Sequence, residues 1–289
     1  MNEETLLRLW GKTDKVNPQN YHPLLFHLFD VGHVTQRLWS QALSPRMRSQ
    51  LAKALGLTEE AAERLVILLA AQHDLGKASA FQRKDKGLWN TLNEAGLTIR
   101  EPKDKPHGYV SAKTLPKLAQ QGIGGWSANM DVARGLAQIT GGHHGTFPTS
   151  ADLIDHNIRP STLGGTEWDE ARADLLREIS RVFYAAENLS ENPIDCPLEE
   201  LTDSILFPLL GGLISVADWI GSSSHFPAAG PCSTDLYVPT SRHQADTALK
   251  DFGWVAAPSF AAPAAFGEIF QDKDKKPFLP NSMQRKTVE

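Results

Sequence analysis

An all-α fold, a bundle of packed helices, is what the sequence predicts, and three observations carry the prediction. Apolar residues recur at helical spacing along nearly the whole chain, strand-like alternation bounded by turn signals is scarce, and helix-capping signatures open one segment after another. With 289 residues, of which 41% are hydrophobic and 22% charged, the chain can bury a sizeable core as one large or two small domains.

In chain order, a helix is expected from Leu24 to Leu43. Ser44-Pro45 then supplies a cap and a proline at the first helical position of a short helix ending near Gly56. Thr58-Glu59-Glu60 opens the next, which runs through LVILLAAQHD, Leu65 to Asp74, with no clear polar face, as a helix buried on most sides would. From Gln82 to His107 the chain turns polar and charged and reads as a surface excursion. Helical pattern resumes from Tyr109 to Gln121 and from Ala128 to Thr140, where Gly141-Gly142 ends it. Thr166 to Asp169 resembles a capping box for a helix through Asn188. Leu198 to Ser222 reads as a buried helix bent at Pro208 and loosened at Gly211-Gly212. Ser241 to Gln244 suggests a cap for a last short helix ending near Gly253, followed by an alanine- and proline-rich stretch of linker character.

Composition excludes several classes. A formal net charge of −5 argues against a chain-wide basic nucleic-acid binder. Cys196 and Cys232 match neither a disulfide framework nor a Cys-x-x-Cys site, which favours a reducing compartment, the cytoplasm by default. No secretory signal is evident, and the longest apolar run, Ile205 to Ala217, is too short to span a bilayer.

The chemistry concentrates on histidine. His73 abuts Asp74, His143 abuts His144, and His27, His107 and Asp218 all fall at predicted helix ends or in the turns beside them. Buried imidazoles and carboxylates need partners, and a cation would satisfy all of them together. Asp74 can bridge two ions where a histidine binds one, so the His-Asp pair is a candidate pivot of a bimetal site. Alone, the dipeptide would be an ordinary polar helix end.

The ordered set HPLLFHLFDVGH, HDLGK, HGYVSA, GGHHG and ADWIGS, from about Trp10 to Gly221, resembles the HD-type nuclease domain of the CRISPR-associated nuclease-helicase of type I interference systems, the Cas-three family. The resemblance implies an HD-domain helical bundle with a dinuclear metal site. It implies His27, His73, Asp74 and Asp218 around one ion and Asp74, His107, His143 and His144 around the other. Imidazole-rich ligation favours Mn, Fe, Co, Ni or Zn over hard Mg²⁺, and two such ions suit phosphodiester hydrolysis. Asp74 and Lys77 are the expected catalytic residues, the lysine offsetting phosphate charge. Ser222, one turn past Asp218, is a candidate to orient that ligand. His22 and His33 are expected to pack or hydrogen-bond nearby, and His156, His225 and His243 to be ordinary surface histidines.

Expected partners follow the same resemblance: single-stranded DNA, a crRNA-guided effector complex, and a helicase domain of the same protein, with no membrane. Arg83, Lys84, Lys86, Lys103 and Lys105 with Trp89 form a basic loop suited to guiding a strand. Asp85, Glu94, Glu101 and Asp104 interleave them, and a solvated mixed-charge loop explains the same residues. The tail, with PFLPNSMQRKTVE, resembles the start of that helicase, Gln284 standing where an adenine contact is expected. No Gly-x-x-x-x-Gly-Lys-Thr loop is present, so ATPase activity is not expected of this piece. The implied organisation is a nuclease domain over 1–253 and a linker with the first helicase residues over 254–289, the N-terminal part of a longer protein. Two rival readings stand beside it: an HD-superfamily phosphohydrolase acting on nucleotides, and a non-catalytic HD module that binds metal or recruits the effector.

Overall fold

The structure, a computed structural model, describes residues 1–13, 20–98, 105–155, 158–184, 193–199, 201, 205–254 and 271–279. The chain divides into two compact units, Met1–Val255 and Ala256–Glu289. Of the second, the described part is a tight turn in which Gln271 pairs antiparallel with Pro277.

The first unit is helical. Its helices are α1 (Glu3–Leu7), α2 (Leu24–Arg37), α3 (Pro45–Ala54), α4 (Glu59–Ala71), α5 (Lys86–Glu94), α6 (His107–Gln120), α7 (Met130–Gly141), α8 (Ser150–Asp155), α9 (Pro160–Leu163), α10 (Thr166–Tyr184), α11 (Leu206–Gly221) and α12 (Thr234–Asp251). Two of the four capping signals act where they were read, whereas Thr166 is the first helical residue of α10 rather than its cap. The Ser44 hydroxyl accepts from the Met47 N–H, and the Thr58 hydroxyl accepts from Ala61 N–H. Helix α2 is central: Leu24, Leu25, Phe26, Leu28 and Phe29 are all fully buried, and α4, α11 and α12 pack around it. Its last turn relaxes into a π-turn, Leu38–Ala42, before Ser44.

Several expectations need correction. Helix α4 stops at Ala71, so His73 and Asp74 lie in the turn beyond it, and a 3₁₀ turn, Leu75–Lys77, follows. The excursion after Gln82 is not simply surface. Gln82 is fully buried, and α5 turns Leu88 and Leu92 inward as an amphipathic helix. Described helix structure ends at Tyr184, and the predicted end at Asn188 lies outside the described residues. Helix α11 starts at Leu206, so Pro208 sits in the first turn, where its missing N–H would have no intrahelical partner and no bend is needed. Gly211 packs instead, because a Cβ there would press on the Phe147 ring.

The supposed cap at Ser241 falls in the middle of α12. There its buried hydroxyl donates to Asp30 Oδ1 of α2 at 2.6 Å, beside the Tyr237 hydroxyl at 2.9 Å. His22 Nε2 lies 2.8 Å from Asp30 Oδ2, and His33 Nδ1 2.9 Å from Ser241 Oγ. Tertiary packing thus takes a residue whose local preference is to start a helix. Sequence reading also missed two small sheets. Strands β1 (Trp10–Thr13) and β2 (Tyr21–Pro23) pair antiparallel, and β3 (Trp126–Ser127) with β4 (Ile194–Asp195) pair parallel.

Candidate metal centre

Five separate stretches converge on one buried spot. The first turn of α2 carries His27, the turn after α4 carries His73 and Asp74, the first residue of α6 is His107, the turn after α7 holds His143 and His144, and α11 delivers Asp218. Glycines let these backbones meet. A Cβ on Gly76 would overlap the carbonyl of His107, and one on Gly108 would overlap that of Gly141, so no other residue fits at these crossings.

Two groups of nitrogen and oxygen atoms result, each drawn together within 4.8 Å: His27, His73, Asp74 and Asp218 in one, His107, His143 and His144 in the other. Asp74 faces both. Its Oδ2 is 3.1 Å from His27 Nε2 and 3.4 Å from His73 Nε2, while its Oδ1 is 3.0 Å from His107 Nε2 and 3.4 Å from His143 Nε2. Asp218 Oδ1 closes the first group at 3.3 Å from His27 and 3.4 Å from His73. In the second, His144 Nε2 is 3.0 Å from His107 Nε2.

The donor set fits cations. His73 and His143 direct Nδ1 at the carbonyls of Ala70 and Thr140, at 2.8 and 2.9 Å, which turns each Nε2 toward the centre. Buried and without a hydrogen bond are His27 Nε2, His73 Nε2, His143 Nε2 and Asp74 Oδ1. Buried polar atoms of this kind are costly unless a ligand takes them up.

The electrostatics agree. Burial lowers the pKa of His27 and of His107, and lowers His144 to about 4 with help from the neighbouring imidazoles. Burial alone would raise Asp74, but His73, Lys77 and His107 hold its carboxyl well below the usual range. Burial would lower His73, yet Asp74 and Asp218 raise it to about 10, so the carboxylates make this spot one that favours positive charge.

Lys77 Nζ lies 2.6 Å from Asp74 Oδ2 and donates to the Gly11 carbonyl at 3.0 Å, and the 3₁₀ turn rather than an α-helical face brings it there. The Ser222 hydroxyl donates to Asp218 Oδ1 at 3.0 Å. Gln284, Lys103, Glu101, Asp104 and His156 lie outside the described residues. Trp89 is not a bare platform: its half-buried ring runs parallel to that of Trp168 at 6.3 Å between centroids, with Arg83 over it. His225 is 3.1 Å from Asp251 rather than at the centre.

Sequence reasoning overlooked the support. Strand β1 straps the centre: Lys77 bonds its Gly11 carbonyl, Trp10 and Gln82 exchange hydrogen bonds, and Lys12 Nζ donates to the Gly221 carbonyl at 2.6 Å. Burial lowers the Lys12 pKa to about 8. Ser111 accepts from the Gly76 N–H and donates to the His73 carbonyl. Of these supporting residues, Ser111 lies inside the motif HGYVSA and Gly221 inside ADWIGS, while Trp10, Gly11, Lys12 and Gln82 belong to no motif.

Comparison with known proteins gives these chemical groups a context. The family described as Cas3, HD domain, matches residues 10–227. The chain is 32% identical over 290 residues to the CRISPR-associated endonuclease/helicase Cas3 of Thermus thermophilus, covering 98% of this chain and 29% of that protein. Against the Escherichia coli protein of the same description, identity is 25% over 74% of this chain and 25% of that one. Among solved structures, one described as a CRISPR-associated protein superposes with a TM-score of 0.77 at 27% identity, covering 92% of this chain and 29% of the other. The Thermus thermophilus cas3 HD domain in the presence of Ni²⁺ gives 0.59 at 26% identity, covering 86% and 92%. The chain thus spans less than a third of the length of the full relatives it matches.

Proposed function

The chain belongs to the Cas3 HD domain family, and from that premise we propose that it is a metal-dependent nuclease that cuts DNA, chiefly single-stranded, in type I CRISPR interference. The observation that carries the reading is Asp74, one buried carboxylate whose two oxygens face two separate clusters of imidazole nitrogens. His27, His73, Asp74 and Asp218 would hold one ion, and Asp74, His107, His143 and His144 the second. So many imidazoles favour Mn, Fe, Co or Ni over Mg²⁺. Bound there, two cations would activate a water and stabilise both the attacking and the leaving oxygen of a phosphodiester.

The protein's own groups do the rest. Nδ1 contacts to the Ala70 and Thr140 carbonyls fix the His73 and His143 rings, and Ser222 fixes the Asp218 carboxylate. Lys77, partly open to solvent and held by Asp74 and Gly11, is placed to offset charge on a bound phosphate. The hollow beside the centre, lined by His107, Tyr109, Gly141 and His144, has a volume of about 130 Å³.

Delivery of target DNA by a crRNA-guided complex, a helicase part of the same protein, and a cytoplasmic setting complete the reading. No described helix is long and apolar enough to cross a membrane. The decisive experiment incubates circular single-stranded DNA with the purified chain and Mn²⁺, Ni²⁺ or Co²⁺, alongside Asp74→Ala. Cleavage by the wild type alone is expected; equal cleavage by both proteins would refute the centre.

A further inference from the structure

Asp218 is 9% exposed, yet the residue after it, Trp219, shows 70% of its surface. Consecutive Cα atoms lie 3.8 Å apart, so a solvent-facing indole is rooted at the rim of the buried centre. Around it on that face of α11 stand small residues and the half-buried Val216, which packs against the core. Gly212, Ser215 and Ser222 follow helical spacing with Trp219. A Cβ on Gly212 would meet open space. Both serines reach the centre: Ser215 Oγ donates to the His143 carbonyl at 2.5 Å, and Ser222 Oγ to Asp218 Oδ1 at 3.0 Å. This face therefore borders the two ligand clusters on either side of the ring.

What would cover such a ring? Protein-binding sites present a contiguous apolar patch with a buried anchor. Here glycine, serine and a core-packed Val216 flank one large aromatic on its helix face, with no second exposed large side chain on α11, beside a site that the reading above assigns to phosphodiesters. A phosphate held at the centre carries its base to within reach of a side chain one residue from a ligand. The solvent-facing indole offers a π-face at that place, and stacking on an aromatic suits any base whatever its sequence.

We propose that Trp219 is the stacking platform for the base next to the phosphodiester under attack, and that it gives the centre its preference for unpaired strands. In a duplex both π-faces of a base are already covered by its neighbours, so a paired strand must unstack before it can use the ring. This inference rests on the nuclease reading and goes beyond it, in naming the residue that selects the strand's state.

The test uses the 289-residue chain loaded with Mn²⁺, cutting a single-stranded oligonucleotide and a matched oligonucleotide with abasic sites at alternate positions. The wild type should show a KM about tenfold higher for the abasic strand, the size expected for the loss of one stacked base. Trp219→Ala should raise KM for the normal strand about tenfold with kcat changed little, and should no longer distinguish the two strands. Trp219→Phe should restore most of the difference, and metal content should match the wild type in both variants. An unchanged KM in Trp219→Ala would overturn the proposal while leaving the nuclease reading intact. A variant that keeps its KM but loses affinity for the helicase part would assign the ring to that contact, and also overturn it. Failure of the wild type to cut either strand would remove the nuclease reading, and this inference with it.

Discussion

Asp74 carries the most consequence of any single residue, because its two oxygens serve different clusters. Asp74→Asn preserves shape but halves the anionic character of the centre, and is expected to reduce bound metal from about two ions per chain to one or fewer by elemental analysis. Lys77→Ala is a different lesion. It removes no ligand atom, so metal content should hold while the cleavage rate falls about a hundredfold, the usual scale for losing one preorganised donor to a developing charge. A pH effect follows from His73. Its pKa is raised to about 10 in the metal-free protein, so at neutral pH the imidazole carries a proton that must leave when a cation binds. Metal affinity should therefore climb with pH, by about tenfold per unit for one released proton. Calorimetry in two buffers of different ionisation enthalpy at pH 7 checks this, and zero proton release would contradict it.

Among the elements, the crossing of α6 with α7 is the most sensitive to a small change. Gly108 and Gly141 meet backbone to backbone, and Gly108→Ala is expected to cost about 1–3 kcal/mol in urea denaturation, as overpacking usually does. What the sequence revealed of these elements follows from how local each signal is. Ser44 and Thr58 announced α3 and α4 because a cap is settled within four residues. The seven expected ligands stood out because motifs such as GGHHG place them at helix ends, where the chain turns. Strand β1 announced nothing: Trp-Gly-Lys-Thr has no alternation, and its worth comes from distant partners such as Gln82 and Gly221. Ser241 misled for the same reason, since its hydroxyl answers to Asp30, far off in sequence, rather than to the N–H groups after it. Tyr237 and Ser241 both hold that buried carboxylate. Ser241→Ala should thus destabilise the fold by about 1–3 kcal/mol, measurable as a lower denaturation midpoint without loss of metal.

At the scale of the molecule, the net charge of −5 and the DNA reading are compatible because two divalent cations would bring the loaded chain close to neutral at the place where phosphate has to sit. All seven residues proposed as ligands lie within Met1–Val255. A chain ending at Trp254 is expected to keep its helical circular dichroism and its two ions. The centre also has a consequence for how the chain comes apart. His27 and Asp218 stand near opposite ends of the helical unit, and the other ligands come from stretches in between. Each ion, bound as proposed, would therefore be a reversible cross-link between distant parts of the chain, one that an unfolded polymer cannot form in advance. At a hundredfold excess over its dissociation constant, one ion adds about 2.7 kcal/mol to the folded state. A chelator should then act far from where it binds, opening to protease the helices α3 and α10, which supply no ligand.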